Sequence, residues 1–169
     1  LFDHIVLFVD DLDESVDYFR EKGFHVVYGG SHPMWGTYNA LIYTGKAYLE
    51  LIAIEHEPVF KNAALQPYTL HETYALNERA SGYTRFALRT NQSAGVADLL
   101  KGANFDVHGP DRFSRNTRTG DTVRWQMVHA GFRDRSTTLP FIIQWDMPDD
   151  VRFKSLRAQN IIAPHPVGD

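Results

Sequence analysis

Tyr48-Leu49-Glu50-Leu51-Ile52 and Phe141-Ile142-Ile143-Gln144-Trp145 decide how this chain is read. Each is a short apolar run, rich in β-branched or aromatic residues, with one polar residue set inside it, which is the pattern of a buried strand. Working back from the first, Ala47 to Ile54 and Tyr38 to Thr44 are strands separated by a tight turn at Gly45. Phe24 to Tyr28 is a further strand, broken by Gly29-Gly30. Ahead of it, Asp11 followed by Glu14 makes a capping-box-like start, and Leu12, Val16 and Phe19 recur at helical spacing until Gly23. Phe2 to Val9 reads as the opening strand, so the order is β-α-β-β-β.

Working outward from the second stretch gives the same order again. Gly82 to Thr90 is strand-like, Ser93 to Lys101 is a short helix with Val96, Leu99 and Leu100 on one side, and Asn104 to His108 is the next strand. Thr122 to Ala130 and Pro140 to Asp146 complete the set. Lys22-Gly23-Phe24-His25-Val26 parallels Lys101-Gly102 and then Phe105-Asp106-Val107, and Leu49-Glu50-Leu51 falls opposite Ile143-Gln144-Trp145. Self-similarity of this kind indicates a duplicated unit. The expected fold is therefore α+β, with tandem βαβββ modules forming a curved mixed sheet around a cup. The first module is expected over 1–55 and the second over 82–148. The connecting segment, 56–81, carries Tyr68, Leu70, Tyr74 and Leu76 on a helix beside the sheet, and 149–169 reads as a tail without period.

Composition narrows the field. The 169 residues are 43% hydrophobic and 22% charged, an ordinary globular balance. Seventeen basic against 21 acidic residues leave a net charge of -4, with no basic stripe for a phosphate backbone, so nucleic acid is not an expected partner. No apolar run is long enough for a membrane span, and a soluble cytoplasmic protein is expected. The absence of cysteine removes disulfides, thiolate zinc sites and a cysteine nucleophile. Neither a Gly-x-Ser-x-Gly elbow nor a phosphate loop nor a dinucleotide fingerprint is present.

Strand alternation places Phe2, His4, Val6 and Phe8 on one face and Asp3, Ile5, Leu7 and Val9 on the other, the second face being the one a helix covers. Tyr48, Glu50, Ile52 and Ile54 share a face, so Glu50 sits among apolar neighbours, where burial is expected to raise its pKa. If the modules are repeats, His4 matches Arg85 and Glu50 matches Gln144, and the four polar side chains converge at the base of the cup.

Four passages, Phe2-Asp3-His4-Ile5-Val6, Gly29-Gly30-Ser31-His32, Gly36-Thr37-Tyr38-Asn39 and Tyr48-Leu49-Glu50-Leu51-Ile52, resemble the glyoxalase-like branch of the vicinal oxygen chelate superfamily. Leu139-Pro140-Phe141-Ile142-Ile143-Gln144-Trp145 extends the resemblance over nearly the whole chain. That superfamily holds lyases, isomerases, ring-cleaving dioxygenases and drug-binding resistance proteins, so fold alone does not give function. The resemblance implies metal ligands at the first and fourth strands of each module, which here are His4, Glu50, Arg85 and Gln144. His4, Glu50 and Gln144 can coordinate a divalent ion such as Ni, Zn, Mn or Fe. Arg85 has no lone pair and departs from the pattern, leaving metal and metal-free alternatives open.

Around these, His32 in the Gly-Gly-x-His passage is a rim candidate, and Asn39, Trp125 and Gln144 are ligand-binding candidates. His25, His56, His71, His108, His129 and His165 show no ligand spacing and are set aside. Two functions follow. One is a lyase-, isomerase- or dioxygenase-type enzyme with Glu50 as general base and His4 and Arg85 beside it. The other is a metal-free protein that sequesters a small molecule, with Arg85 holding a negative group. Such cups close within one chain or by exchange in a homodimer, and the sequence does not choose. The passage His165-Pro166-Val167-Gly168 resembles the point at which longer relatives continue into another module.

Overall fold

The computed structural model describes residues 1–117 and 120–167. β1 (Phe2–Phe8), α1 (Leu12–Glu21), β2 (Val27–His32), β3 (Thr37–Thr44) and β4 (Ala47–Ile54) make the first module. β5 (Gly82–Arg89), α4 (Ser93–Gly102), β6 (Asp106–Asn116), β7 (Thr122–Gly131) and β8 (Phe141–Trp145) make the second. Between them lie α2 (Glu57–Ala63) and α3 (Leu70–Leu76), and α5 (Asp149–Ala158) follows the second module. The segment read as a tail thus opens with a helix: Pro148 stands at its N-cap, and Arg152 and Phe153 are buried against the sheet. Gly168, part of the passage compared with longer relatives, lies outside the described residues.

All eight strands join one sheet in the order β2-β3-β4-β1-β5-β8-β7-β6. β1 and β4 pair in parallel, as do β5 and β8, and the modules join where β1 and β5 pair antiparallel. The sheet curls until its outer strands, β2 and β6, meet. Glycine makes that meeting feasible. At Gly30 the backbone has φ +137°, and a Cβ there would stand 2.7 Å from the Asn116 carbonyl oxygen on β6. At Gly29 a Cβ would collide with the Asn39 side chain at 2.2 Å. Gly29-Gly30 therefore does not break the strand, as the sequence suggested, but lies within β2 and lets the sheet close on itself.

Three apolar clusters hold this arrangement. α1 covers the convex side of the first module, with Leu12 and Val16 packed against Ala40, Ile42 and Leu51. Phe153 of α5 joins Leu41, Tyr43 and Tyr48. The largest cluster lies on the concave side, where Phe60 of α2 and Leu70 and Tyr74 of α3 pack on Val6, Phe8 and Ala87. Phe8 and Tyr74 stack at 4.0 Å. Each fully buried aromatic here contributes about 2–3 kcal/mol by leaving water. The connecting segment consequently fills part of the cup instead of merely flanking the sheet.

Gly30→Ala is expected to lower stability by about 2–3 kcal/mol, through its positive φ and the clash across the seam. Urea denaturation measures this, and an unchanged midpoint would show that the β2–β6 closure carries no weight.

Candidate functional site

A cavity remains in the unfilled end of the cup, about 50 Å³ in volume. Its floor is polar and its walls, among them Trp35, Tyr43, Trp125 and Trp145, are largely aromatic. The floor is built from neighbouring strands: β1 supplies His4, β4 supplies Glu50 and β3 supplies Asn39. The register sets Glu50 beside Val6 on one side and Leu41 on the other, so its carboxylate emerges among apolar neighbours.

The His4 ring stands between two carboxylates. Its Nδ1 is 2.7 Å from Asp3 Oδ1, and its Nε2 is 3.4 Å from Glu50 Oε2. Asn39 Nδ2 donates to the other Glu50 oxygen at 2.5 Å. Asp3 Oδ2 in turn accepts from Arg89 at 2.7 Å and from the Trp145 indole at 3.2 Å. Simple alternation put Asp3 on the opposite face from His4. The β1–β5 register instead shifts between Phe2 and His4, and this extra residue leaves Asp3 fully buried and bonded to the ring that follows it.

Burial alone would push the Glu50 pKa up, as the sequence suggested. Donation by His4 and Asn39 and the His4 charge outweigh it and bring the value down to about 2. Asp3 is also lowered to about 2, against the same burial penalty, by His4, Arg152 and Arg89. Burial disfavours the charged His4 ring, but its two carboxylates prevail and raise its pKa. The floor is thus a histidine held between two carboxylates, each hydrogen-bonded elsewhere, an arrangement that favours the protonated ring. Removing one partner from such a buried set costs about 3–5 kcal/mol.

His32 and Trp125 also line this cavity, so five of the residues singled out from the sequence, His4, His32, Asn39, Glu50 and Trp125, come together. Arg85 and Gln144 do not join them. Arg85 donates to Thr73 Oγ1 at 2.8 Å and to the Leu139 carbonyl at 2.6 Å, so it braces α3 and the segment before β8 instead of pairing with Glu50. Gln144 has the wrong parity: Phe141, Ile143 and Trp145 face the cavity, while Gln144 accepts from the Ser93 amide on α4 across the sheet. The assumed repeat register was displaced by one residue, and in a strand that exchanges the faces. Asp3, Trp35, Tyr43, Tyr48 and Arg115 were missed; the adjacency of Asp3 to His4 was the one visible signal.

This geometry decides how a metal would fare. His4, oriented by Asp3, and Glu50 supply an imidazole and a carboxylate, but the second module presents apolar Phe141 and Ile143 where further ligands would be needed. Among the described residues no group of three or more His, Asp or Glu side chains could hold an ion. The residues present do not fit a chelated metal, and the set of His4, Glu50 and Gln144 is not assembled.

The family model described as "Glyoxalase-like domain" matches residues 2–169, and the chain belongs to that family. A hypothetical protein from Staphylococcus aureus is 28% identical with a TM-score of 0.86, over 93% of this chain and 63% of that one. The chain therefore spans under two thirds of that relative. Methylmalonyl-CoA epimerase from Mycobacterium tuberculosis is 17% identical with a TM-score of 0.59, covering 89% of this chain and 91% of that one. A mutant 4-hydroxymandelate synthase from Streptomyces coelicolor is 11% identical with a TM-score of 0.52, covering 88% and 49%. The last two establish the vicinal oxygen chelate fold and nothing finer. No protein of curated function matches. No helix among the described residues is long and apolar enough to cross a membrane.

Buried histidines make stability depend on pH. Burial lowers His32 and His129 to about 4 and His71 to about 3, from 6.5. Their folded values lie below the unfolded one, so their contribution is complete above pH 6.5 and is lost as pH falls towards 4. Asp3 and Glu50 lose theirs only lower, between about 4.5 and 2. His4 has the opposite sign: its contribution is present below 6.5 and is lost as pH rises through its raised value. The urea midpoint should begin to fall just below pH 6.5, with a shallower slope in His71→Met. A midpoint flat down to pH 4.5 would contradict this placement of the histidines.

Proposed function

We propose that this domain is a small-molecule enzyme that moves a proton on the carbon next to a carbonyl, using Glu50 and His4 without a chelated metal. The observation that supports it is the Asp3–His4–Glu50 chain on the cavity floor. A carboxylate whose pKa is about 2 is a weak base, yet what keeps it weak is chiefly the His4 donor. A substrate carbonyl oxygen that enters and accepts the Nε2 hydrogen of His4 takes that donor away. The burial penalty at Glu50 is then less fully offset, and its proton affinity rises where the proton must be accepted.

The step balances within these groups. Glu50 takes a proton from the carbon, and the C–H electron pair forms the carbon–carbon double bond of an enolate. The carbonyl π pair moves to oxygen, where the imidazolium N–H stabilises it. Return of the proton from Glu50 completes an isomerisation or exchange. Asp3 holds the ring in place and stabilises its charge, while Asn39 orients the carboxylate. The apolar walls keep water away from the enolate. His32, neutral and in contact with Trp35 at 5.5 Å and Trp125 at 6.3 Å, shapes the wall.

In deuterium oxide, proton NMR should show protein-accelerated loss of the α-hydrogen signals of a small carbonyl compound such as pyruvate or hydroxyacetone. Glu50→Gln should slow this at least about 100-fold, and chelator-treated protein should keep its rate. Exchange retained within about tenfold in Glu50→Gln would remove Glu50 as the base. It would leave the alternative, a metal-free cup that only binds its ligand. Loss of exchange with chelator and recovery with metal would overturn the metal-free reading.

A further inference from the structure

Two arginines approach the end of the cup lined by Tyr43 and Trp145, and the acid–base chemistry uses neither. Arg115 reaches the cavity from β6, the far edge of the sheet, and donates to the Gly29 carbonyl across the seam. Arg152 comes from α5, the helix in the stretch that carried no sequence signal. It stacks on Trp145, its guanidinium carbon 4.1 Å from the ring centroid, and donates to the Tyr43 hydroxyl at 3.1 Å. Both Trp145 and Tyr43 line the cavity.

Neither cation has a direct ion-pair partner among the described residues, although Arg152 lies within the field of Asp3 and Arg115 within that of Glu50. Arg152 is 7% exposed, and among the described residues its Nη1 has no hydrogen-bond partner. Asp3, Arg89 and Asp149 pair close by. A buried guanidinium with an unmade hydrogen bond is costly, and a second cation beside it adds to the cost. An anion between them would relieve both. The two ends of the cavity are also joined by packed rings: Tyr43 lies 4.8 Å from Tyr48, and Tyr48 stacks on His4 at 4.4 Å.

We propose that Arg115 and Arg152 form an anion subsite that holds the carboxylate of the substrate, with the reacting carbon lying over Glu50 and His4. This deepens the proton-transfer reading and rests on it for the placement of the carbonyl. It also names the substrate class: a compact carbonyl acid. The cavity over the floor, about 50 Å³, favours a compact ligand there. Its charge follows from the unpaired guanidiniums. Tyr43, whose pKa burial pushes up to about 12, stays protonated and can donate to the same carboxylate.

Binding separates this from catalysis. Quenching of tryptophan fluorescence is titrated with pyruvate, with its neutral analogue hydroxyacetone and with inorganic phosphate, for wild type, Arg115→Met, Arg152→Met and Glu50→Gln. Pyruvate should bind at least tenfold more tightly than hydroxyacetone. Arg115→Met should erase that preference while leaving hydroxyacetone binding unchanged, and Arg152→Met should do the same if its melting temperature shows a folded protein. Should Arg152→Met unfold, Arg115→Met decides alone. Equal binding of pyruvate and hydroxyacetone by wild type, or a preference untouched in Arg115→Met, would overturn the subsite. Phosphate bound more tightly than pyruvate would overturn the carboxylate assignment. Glu50→Gln should retain the preference, so failure of the base leaves this result standing and failure of the subsite leaves the exchange assay standing.

Discussion

One histidine ring held between two buried carboxylates is the constraint around which this protein is arranged. Asp3 and Glu50 approach opposite nitrogens of His4, at 2.7 and 3.4 Å, in a region from which water is largely excluded. Two ionised carboxylates so close together would repel strongly without a cation between them. The carboxylates favour the protonated ring, and the remaining oxygens must be satisfied elsewhere. The surrounding structure meets these demands: Arg89 and Trp145 bond to Asp3, and Asn39 to Glu50. Arg89 reaches on to Asp149 at 3.0 Å, tying the start of α5 to the same network.

The rest of the fold serves to close the space above that floor. The curled sheet brings β2 against β6, and the Gly29-Gly30 pair allows the approach that places Arg115 at the cavity. α2 and α3 occupy much of the concave side, and Arg85, bonded to Thr73 and to the Leu139 carbonyl, pins α3 there. What remains is small and lined largely by aromatic rings, and a proton held or released by Glu50 is governed chiefly by His4 and Asn39.

Much of this was legible in the sequence, because strand and helix periods are local properties. The two βαβββ units, the curved sheet and the placement of His4, Glu50, Asn39, His32 and Trp125 follow from alternation and from the resemblance to glyoxalase-like proteins. The errors share a physical origin. Gln144 was assigned by matching repeats that are out of step by one residue, and a single step turns a strand side chain from the cavity to the opposite face of the sheet, here the one beside α4. Asp3 was assigned by strict alternation, which a bulge suspends. Arg85 was read as a site cation, but its partners, Thr73 and the Leu139 carbonyl, are remote in the chain and leave no local trace. Arg152 lies on a helix whose weak amphipathic pattern concealed it, and Arg115 depends on a closure between sheet edges that no local pattern encodes.

The charge on His4 is the claim from which the others descend, and nitrogen NMR of the histidine rings measures it directly, with His4 assigned by loss of its signal in His4→Asn. At neutral pH both His4 nitrogens should show protonated shifts, and the ring should titrate above 6.5 while His32, His71 and His129 remain neutral. A His4 ring carrying one proton at neutral pH would contradict the account, since the positive charge it places between Asp3 and Glu50 would be absent.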